Sequence, residues 1–174
     1  MSLIDEAPER VVLDASFVLR FVLHTQSEQP HPKGLELLQT SDLLVPALWH
    51  LEVANALVQA ERRGLAAPAK VGLALTAISA LNPSVDAQVL EVNRALEVAR
   101  AYGLSAYDAA YFELAMRRKA AIATYDDAMI AAAPIAGIRL YPPPANTDQV
   151  TSRGQQTATI SKRNKPLKPS LKKK

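Results

Sequence analysis

Four acidic residues stand where a carboxylate could do chemistry. Asp14 directly follows the short apolar run Val11–Leu13, and Asp126 lies three residues after the run that ends at Ala123. Glu52 falls in the first turns of a helix that follows Pro46, and Asp108 in the first turn of a helix opened by Ser105. Other reactive groups are scarce. The chain has no Cys, and its three His residues (His24, His31 and His50) form no metal-binding spacing, so a thiolate nucleophile and a zinc site of paired His or Cys are both excluded. Carboxylates gathered in one place would instead suit a hard cation held by oxygen ligands. Each acid also has a plainer reading. Asp14 suits a helix N-cap, Ser105-x-x-Asp108 and Thr124-x-x-Asp127 have capping-box spacing, Asp126 complements a helix dipole, and Glu52 is an ordinary surface residue.

The elements that would position these acids alternate. Short apolar runs suited to buried parallel strands (Val11–Leu13, Leu43–Val45, Ala120–Ala123, Ile138–Leu140) are separated by longer helical segments. Helices are expected at Ala15–Leu23, near Lys33–Thr40, from Leu48 to about Arg63 with Gly64 as its stop, and at Pro68–Leu81. A short extended piece at Ser84 and Val85 then leads to a helix over about Asp86–Tyr102 with Val89, Val92, Leu96 and Ala99 on one stripe. Further helices follow at Ser105 to about Lys119 and about Asp127–Ala132. This order predicts an α/β fold, a three-layer α/β/α sandwich around a central parallel sheet. In such sheets ligands bind beyond the carboxyl ends of the strands, where Asp14 and Asp126 fall.

The 174 residues fit one domain, and the 49% apolar and 21% charged composition is that of a soluble globular protein. No apolar run approaches the roughly 20 residues needed to cross a bilayer, and the acidic start MSLIDEAPER does not resemble a secretion signal, so a cytoplasmic location is expected. The net charge of +3 is a sum of opposites: residues 145–174 carry eight Lys/Arg against Asp148, while the rest carries 12 basic and 16 acidic side chains. We therefore divide the chain into a lead-in (1–10), a folded domain (11–141) and a basic tail (142–174). Basic tails attract phosphate backbones, although a merely solvated tail is the commoner case.

Four segments, in order, resemble the PIN-domain ribonucleases, in particular the VapC-type toxins of toxin–antitoxin pairs: VVLDAS around Asp14, VPALWHLEVANAL around Glu52, LSAYDAAYFELA around Asp108 and AIATYDDAMIAAA around Asp126. The resemblance spans roughly Val11–Leu140. It implies that Asp14, Glu52, Asp108 and Asp126 converge at one end of the sheet to hold Mg2+ or Mn2+, with Ser16, Thr124 and Asn55 in support. It also implies an RNA substrate, hydrolysis leaving a 5′-phosphate and a 3′-hydroxyl, a homodimer, and a cognate antitoxin that covers the site. Converged carboxylates about 5 Å apart would repel by roughly 3 kcal/mol per pair at an effective dielectric near 20, so such a site needs a cation or raised pKa values. With no Ser–His or Cys–His pair visible, water activated by the ion is the nucleophile to expect.

The acidic body repels the phosphates it would have to cut, so cations elsewhere must hold the substrate. Arg62, Arg63, Lys70, Arg117, Arg118, Lys119 and the tail are available, although ordinary helix-end charge is the commoner role of such residues. Trp49 and Tyr107, each close to an acid, would stack on a base or pack in the core. A haloacid-dehalogenase-like phosphatase would need a second Asp where Ser16 stands, and no Gly-rich phosphate loop exists. The remaining alternative is a PIN-like module that binds RNA or protein without cutting.

Overall fold

The computed structural model describes residues 8–23, 34 and 38–141. The expected tail and most of the lead-in lie outside these residues, as do His24, His31, Pro30 and Pro32. Five strands form one sheet: β1 (Arg10–Leu13), β2 (Asp42–Pro46), β3 (Ser84–Asp86), β4 (Ala121–Ala123) and β5 (Leu140–Tyr141). Their order is β3-β2-β1-β4-β5, and every pairing is parallel. β1 takes the centre, with Val11 opposite both Leu43 and Ala121, and Val11, Val12 and Leu13 are wholly buried. A parallel strand covered on both faces has no polar side to alternate with, which is why these runs read as continuous apolar stretches.

The helices between the strands are α1 (Ala15–Leu23), α2 (Trp49–Arg62), α3 (Pro68–Leu81), α4 (Val92–Tyr102), α5 (Ala106–Arg118) and α6 (Asp127–Ala132). Gly34 and residues 38–40 are also helical, and the rest of the helix expected at Lys33–Thr40 lies outside the described residues. The connections run from β1 outward to β2 and β3, then return past β1 to β4 and β5. Because parallel crossovers are right-handed, reversing the direction of travel moves the connecting helices to the other face. Accordingly α1, α2 and α3 pack with one another, while α4 packs on α5 and α5 on β1, β2 and β4. These are the layers of the expected α/β/α sandwich. Among the described residues no helix is long and apolar enough to cross a membrane.

Local signals account for most element ends. Pro68 occupies the first turn of α3, where its missing N–H costs nothing. Gly103 takes φ +68° at the end of α4, the left-handed conformation that glycine adopts without penalty.

Three expectations need correction. Ser84–Asp86 is a full strand, with Asp86 opposite Pro46, so α4 begins only at Val92. Asp86 is drawn out of the helix because its carboxylate, buried at the end of β3, accepts bonds from Arg117 (3.1 Å) and Arg118 (2.8 Å). The buried side of α4 is consequently Ala95, Val98, Ala99 and Tyr102, with the Tyr102 ring 4.9 Å from that of Phe112. Val89 and Val92, 77% and 80% exposed, face away, and Leu96 is exposed as well. The final strand lies at Leu140–Tyr141 rather than Ile138–Leu140, because the turn through Gly137 (φ +68°) leaves Ile138 buried before the ladder resumes.

Although burial pushes the Asp86 carboxyl up, its bonds to Arg117 and Arg118 prevail and hold it down at about 2. A lowered folded pKa contributes stability above the unfolded value near 3.9, and that contribution disappears as pH falls toward 2. Asp86→Asn should therefore destabilise the fold by roughly 1–2 kcal/mol at pH 7, a figure kept low by water around the half-exposed Arg118. The gap between variant and wild type should close between about pH 4 and pH 2. Urea unfolding across that range checks this, and a gap independent of pH would refute it.

Candidate active site

The chain changes direction between β1 and β4: α1 leaves one for one face of the sheet, and α6 leaves the other for the opposite face. Such a switch point opens a crevice beyond the carboxyl ends of the strands. Asp14 lies at this switch point, its backbone N–H bonded to the Ala123 carbonyl at 3.0 Å, so the ladder continues one residue past β1. Asp14 as a residue is only 6% exposed. Its Oδ2 accepts the hydroxyls of Ser16 and of Thr124, the latter at 2.7 Å. Both hydroxyls also accept: Ser16 Oγ from the Tyr125 N–H (3.1 Å), and Thr124 Oγ1 from the Asp126 N–H (2.9 Å). Two side chains thereby tie the end of β1 to the loop after β4.

The other three acids belong to three separate helices. Glu52, half-buried on α2, accepts the hydroxyl of Tyr111 from α5. Asp108, three residues before Tyr111, forms a capping box with Ser105: its N–H donates to Ser105 Oγ (3.1 Å), and its Oδ2 accepts from Ser105 Oγ (2.6 Å) and Ser105 N (3.3 Å). Asp126 caps α6, with Oδ1 accepting the Met129 N–H at 2.9 Å. The helix therefore starts on Asp126, and the expected Thr124-x-x-Asp127 box does not form. Asp127 is exposed, whereas Asp126 is partly covered and linked through Thr124 to Asp14. Asn55 lies exposed on α2 and bonds to none of the acids.

Burial raises the pKa of Asp14, and hydrogen bonds from Ser16 and Thr124 offset part of the rise. Glu52 is also raised, by burial first and then by the charges of Asp14 and Asp108, against the bond from Tyr111. Tyr111 is raised in turn, by burial and by Glu52, so its hydroxyl keeps its proton as the donor. None of the ion pairs among the described residues involves Asp14, Glu52, Asp108 or Asp126. The donor set is all oxygen and negatively charged, which fits a hard divalent cation. The cage is not closed, however: among the described residues no three His, Asp or Glu side chains stand close enough to grip one ion. Asp108, Asp126 and Glu52 point instead to Ser105, Met129 and Tyr111.

A family model described as PIN domain matches residues 11–134. The chain belongs to the PIN-domain family. PIN domains are generally nucleases and typically bind divalent metal ions, which agrees with the acidic crevice. The chain is also similar to a solved structure, the crystal structure of PAE2754 from Pyrobaculum aerophilum, at 21% identity and a TM-score of 0.57, covering 90% of this chain and 96% of that one. That likeness concerns the fold. No curated protein matches the chain.

Several residues of this PIN domain take places that the sequence reading did not give them. Tyr111 was not singled out, although its position one turn after Asp108 puts both on one face of α5. Trp49 packs in the core, whereas Tyr107 is 67% exposed and does not. Arg117 and Arg118 are engaged by Asp86 and Glu113, so they are not free to hold a substrate.

An acid whose folded pKa is raised adds stability when protonated and loses it as pH rises through the folded value. Asp14→Asn removes the charge while keeping an acceptor for Ser16 and Thr124. The variant is expected to melt one to a few degrees above wild type in metal-free buffer at pH 7.5, and the advantage should shrink as pH falls toward 4. Calorimetry with EDTA decides this, and a lower Tm for the variant at both pH values would contradict it.

Proposed function

We propose that this PIN domain is a Mg2+- or Mn2+-dependent endoribonuclease, acting through Asp14, Glu52, Asp108 and Asp126 with Ser16 and Thr124 in support. The observation that carries the reading is the acidic crevice itself. A buried Asp14 is bonded to hydroxyls from both sides of the switch point, Glu52 feels the charges of both Asp14 and Asp108, and none of the ion pairs among the described residues involves these acids. A divalent ion bound there would offset the charge that develops on the phosphodiester oxygens.

The chain's own groups divide the remaining work. Ser16 and Thr124 hold Asp14 in one orientation, leaving its other oxygen free of side-chain partners. Glu52, held by Tyr111 and with a raised pKa, is suited to take a proton from the attacking water. The water oxygen joins phosphorus as the bond to the 3′-oxygen breaks. That oxygen then takes up a proton, leaving a 3′-hydroxyl and a 5′-phosphate.

The biological role that fits is the toxin of a type II toxin–antitoxin pair, working as a homodimer and neutralised by a cognate antitoxin. Exposed Leu51 and Val58 on α2 and exposed Leu73 and Leu75 on α3 support a protein-binding surface of this kind. One observation favours a second reading, an RNA- or protein-binding module that does not cut: the four acids form no closed three-ligand group.

Cleavage of total cellular RNA separates the two readings. The wild type should cut with Mg2+ or Mn2+ and stop with EDTA, and Asp14→Asn should lose at least about 100-fold of the activity, equivalent to about 2.7 kcal/mol of barrier. Induced expression of the wild type should arrest growth, and Asp14→Asn should not. An inert wild type that still binds RNA would install the non-cutting module instead.

A further inference from the structure

An acidic crevice needs a cation placed to meet the RNA strand, and the arginines considered from sequence do not all remain available. Arg10, Arg94, Arg117, Arg118 and Arg139 are each paired with a carboxylate. Arg62, in the last turn of α2, and Arg63, which caps it, lie ten residues or more beyond Glu52, about 15 Å along the helix axis. Arg20, which the sequence reading passed over, is different. It is exposed, takes part in none of the ion pairs among the described residues, and its guanidinium carbon lies 4.5 Å from the centre of the Tyr125 ring.

Tyr125 is itself fixed to the site. Its ring stacks on Phe17 at 5.2 Å with the planes 9° apart, its N–H is bonded to Ser16 Oγ, and it lies between Thr124 and Asp126. Ser16 and Arg20 are four residues apart on α1 and share a face, with roughly 6 Å between their β-carbons. The hydroxyl that orients Asp14 and the guanidinium one turn on thus belong to one rigid strip. Attraction to the ring face holds Arg20 without a carboxylate, so its charge remains available to an incoming anion. A guanidinium matches phosphate oxygens in pairs, as a lysine ammonium does not.

We propose that Arg20, docked on Tyr125, is the residue that grips a phosphate of the single-stranded RNA beside Asp14 and Asp126. It is a substrate-positioning residue that brings the strand to the acids, and the assignment rests on the nuclease reading above.

The test is binding of a labelled single-stranded RNA to the full chain in EDTA, by fluorescence anisotropy over a series of KCl concentrations. Arg20→Gln should bind about tenfold more weakly at low salt, and the slope of log affinity against log salt should fall by about 0.7, the value for one phosphate contact on a single strand. Arg20→Lys should restore the slope but only part of the affinity. Tyr125→Leu should weaken binding with the slope unchanged, because the charge stays and its platform goes. A purely structural Arg20 would change Tm and leave the slope alone, and that result overturns the proposal. So does an equal loss of slope in Arg63→Gln, which would make Arg20 one charge among many. Cleavage of the same RNA with Mn2+ keeps the two readings apart. A wild type that binds without cutting defeats the nuclease reading while the Arg20 comparison still stands. A wild type that cuts beside an Arg20→Gln slope equal to its own defeats only the Arg20 assignment, and a wild type that neither binds nor cuts defeats both.

Discussion

A carboxylate buried at the end of the central strand is the constraint around which this domain is arranged. Ionised and unpaired, Asp14 would oppose folding, because moving a charge out of water is costly unless hydrogen bonds or an opposite charge replace the lost solvation. The chain supplies the first remedy through Ser16 and Thr124. Among the described residues it supplies no opposite charge, and Glu52 and Asp108 add charge of the same sign. The shifted pKa values of Asp14 and Glu52 share a first cause, burial, to which the charges of Asp14 and Asp108 add at Glu52. Structural proteins rarely tolerate such an arrangement, whereas functional sites depend on it.

The helix-start acids have two uses that do not compete. Asp108 closes a capping box and Asp126 caps α6, as their spacing alone would suggest. Capping satisfies backbone donors that helix ends otherwise leave bare, so it fixes where each carboxylate begins. In a doubly wound sheet, helices that follow strands start beside the crevice, so Asp126, capping the helix after β4, is already near any ligand that enters it; Asp108 opens a helix that follows another helix, and its nearness is felt at Glu52. What the caps do not provide is a ready cage. Gripping one ion would require these side chains to draw closer together, and each has a second carboxylate oxygen outside these bonds: Asp108 Oδ1, Asp126 Oδ2 and Glu52 Oε1.

The sequence carried the layered α/β plan because its strands are unbroken apolar runs and its helices end on Gly64 and Gly103. It also marked the positions of Asp14 and Asp126, since a single acid after an apolar run is a local pattern. Partnerships across the fold were harder to read. Asp86 looked like the start of a helix because nothing nearby announces that Arg117 and Arg118, more than thirty residues on, will claim it. Val89, Val92 and Leu96 form as regular a stripe as Ala95, Val98, Ala99 and Tyr102, and only packing against α5 chooses between them. Tyr111 was visible as one turn from Asp108, but its bond to Glu52 depends on how two helices meet. Arg20 shows no signal at all until Tyr125 is brought over it.

The bond between Thr124 and Asp14 joins residues 110 positions apart. Parallel pairing allows no shortcut, because β1 gains its second neighbour only when β4 arrives, after all the helices but α6 have been made. On a ribosome adding about 5–20 residues per second, the N-terminal half waits several seconds or more for this closure. Until then Asp14 lacks the Thr124 hydroxyl, one of the two that orient it, and Asp126 does not yet exist. Were these groups to cleave RNA as proposed, that activity would stay dormant through most of the chain's own synthesis, and the message being translated would be spared until β4 and the residues after it have emerged.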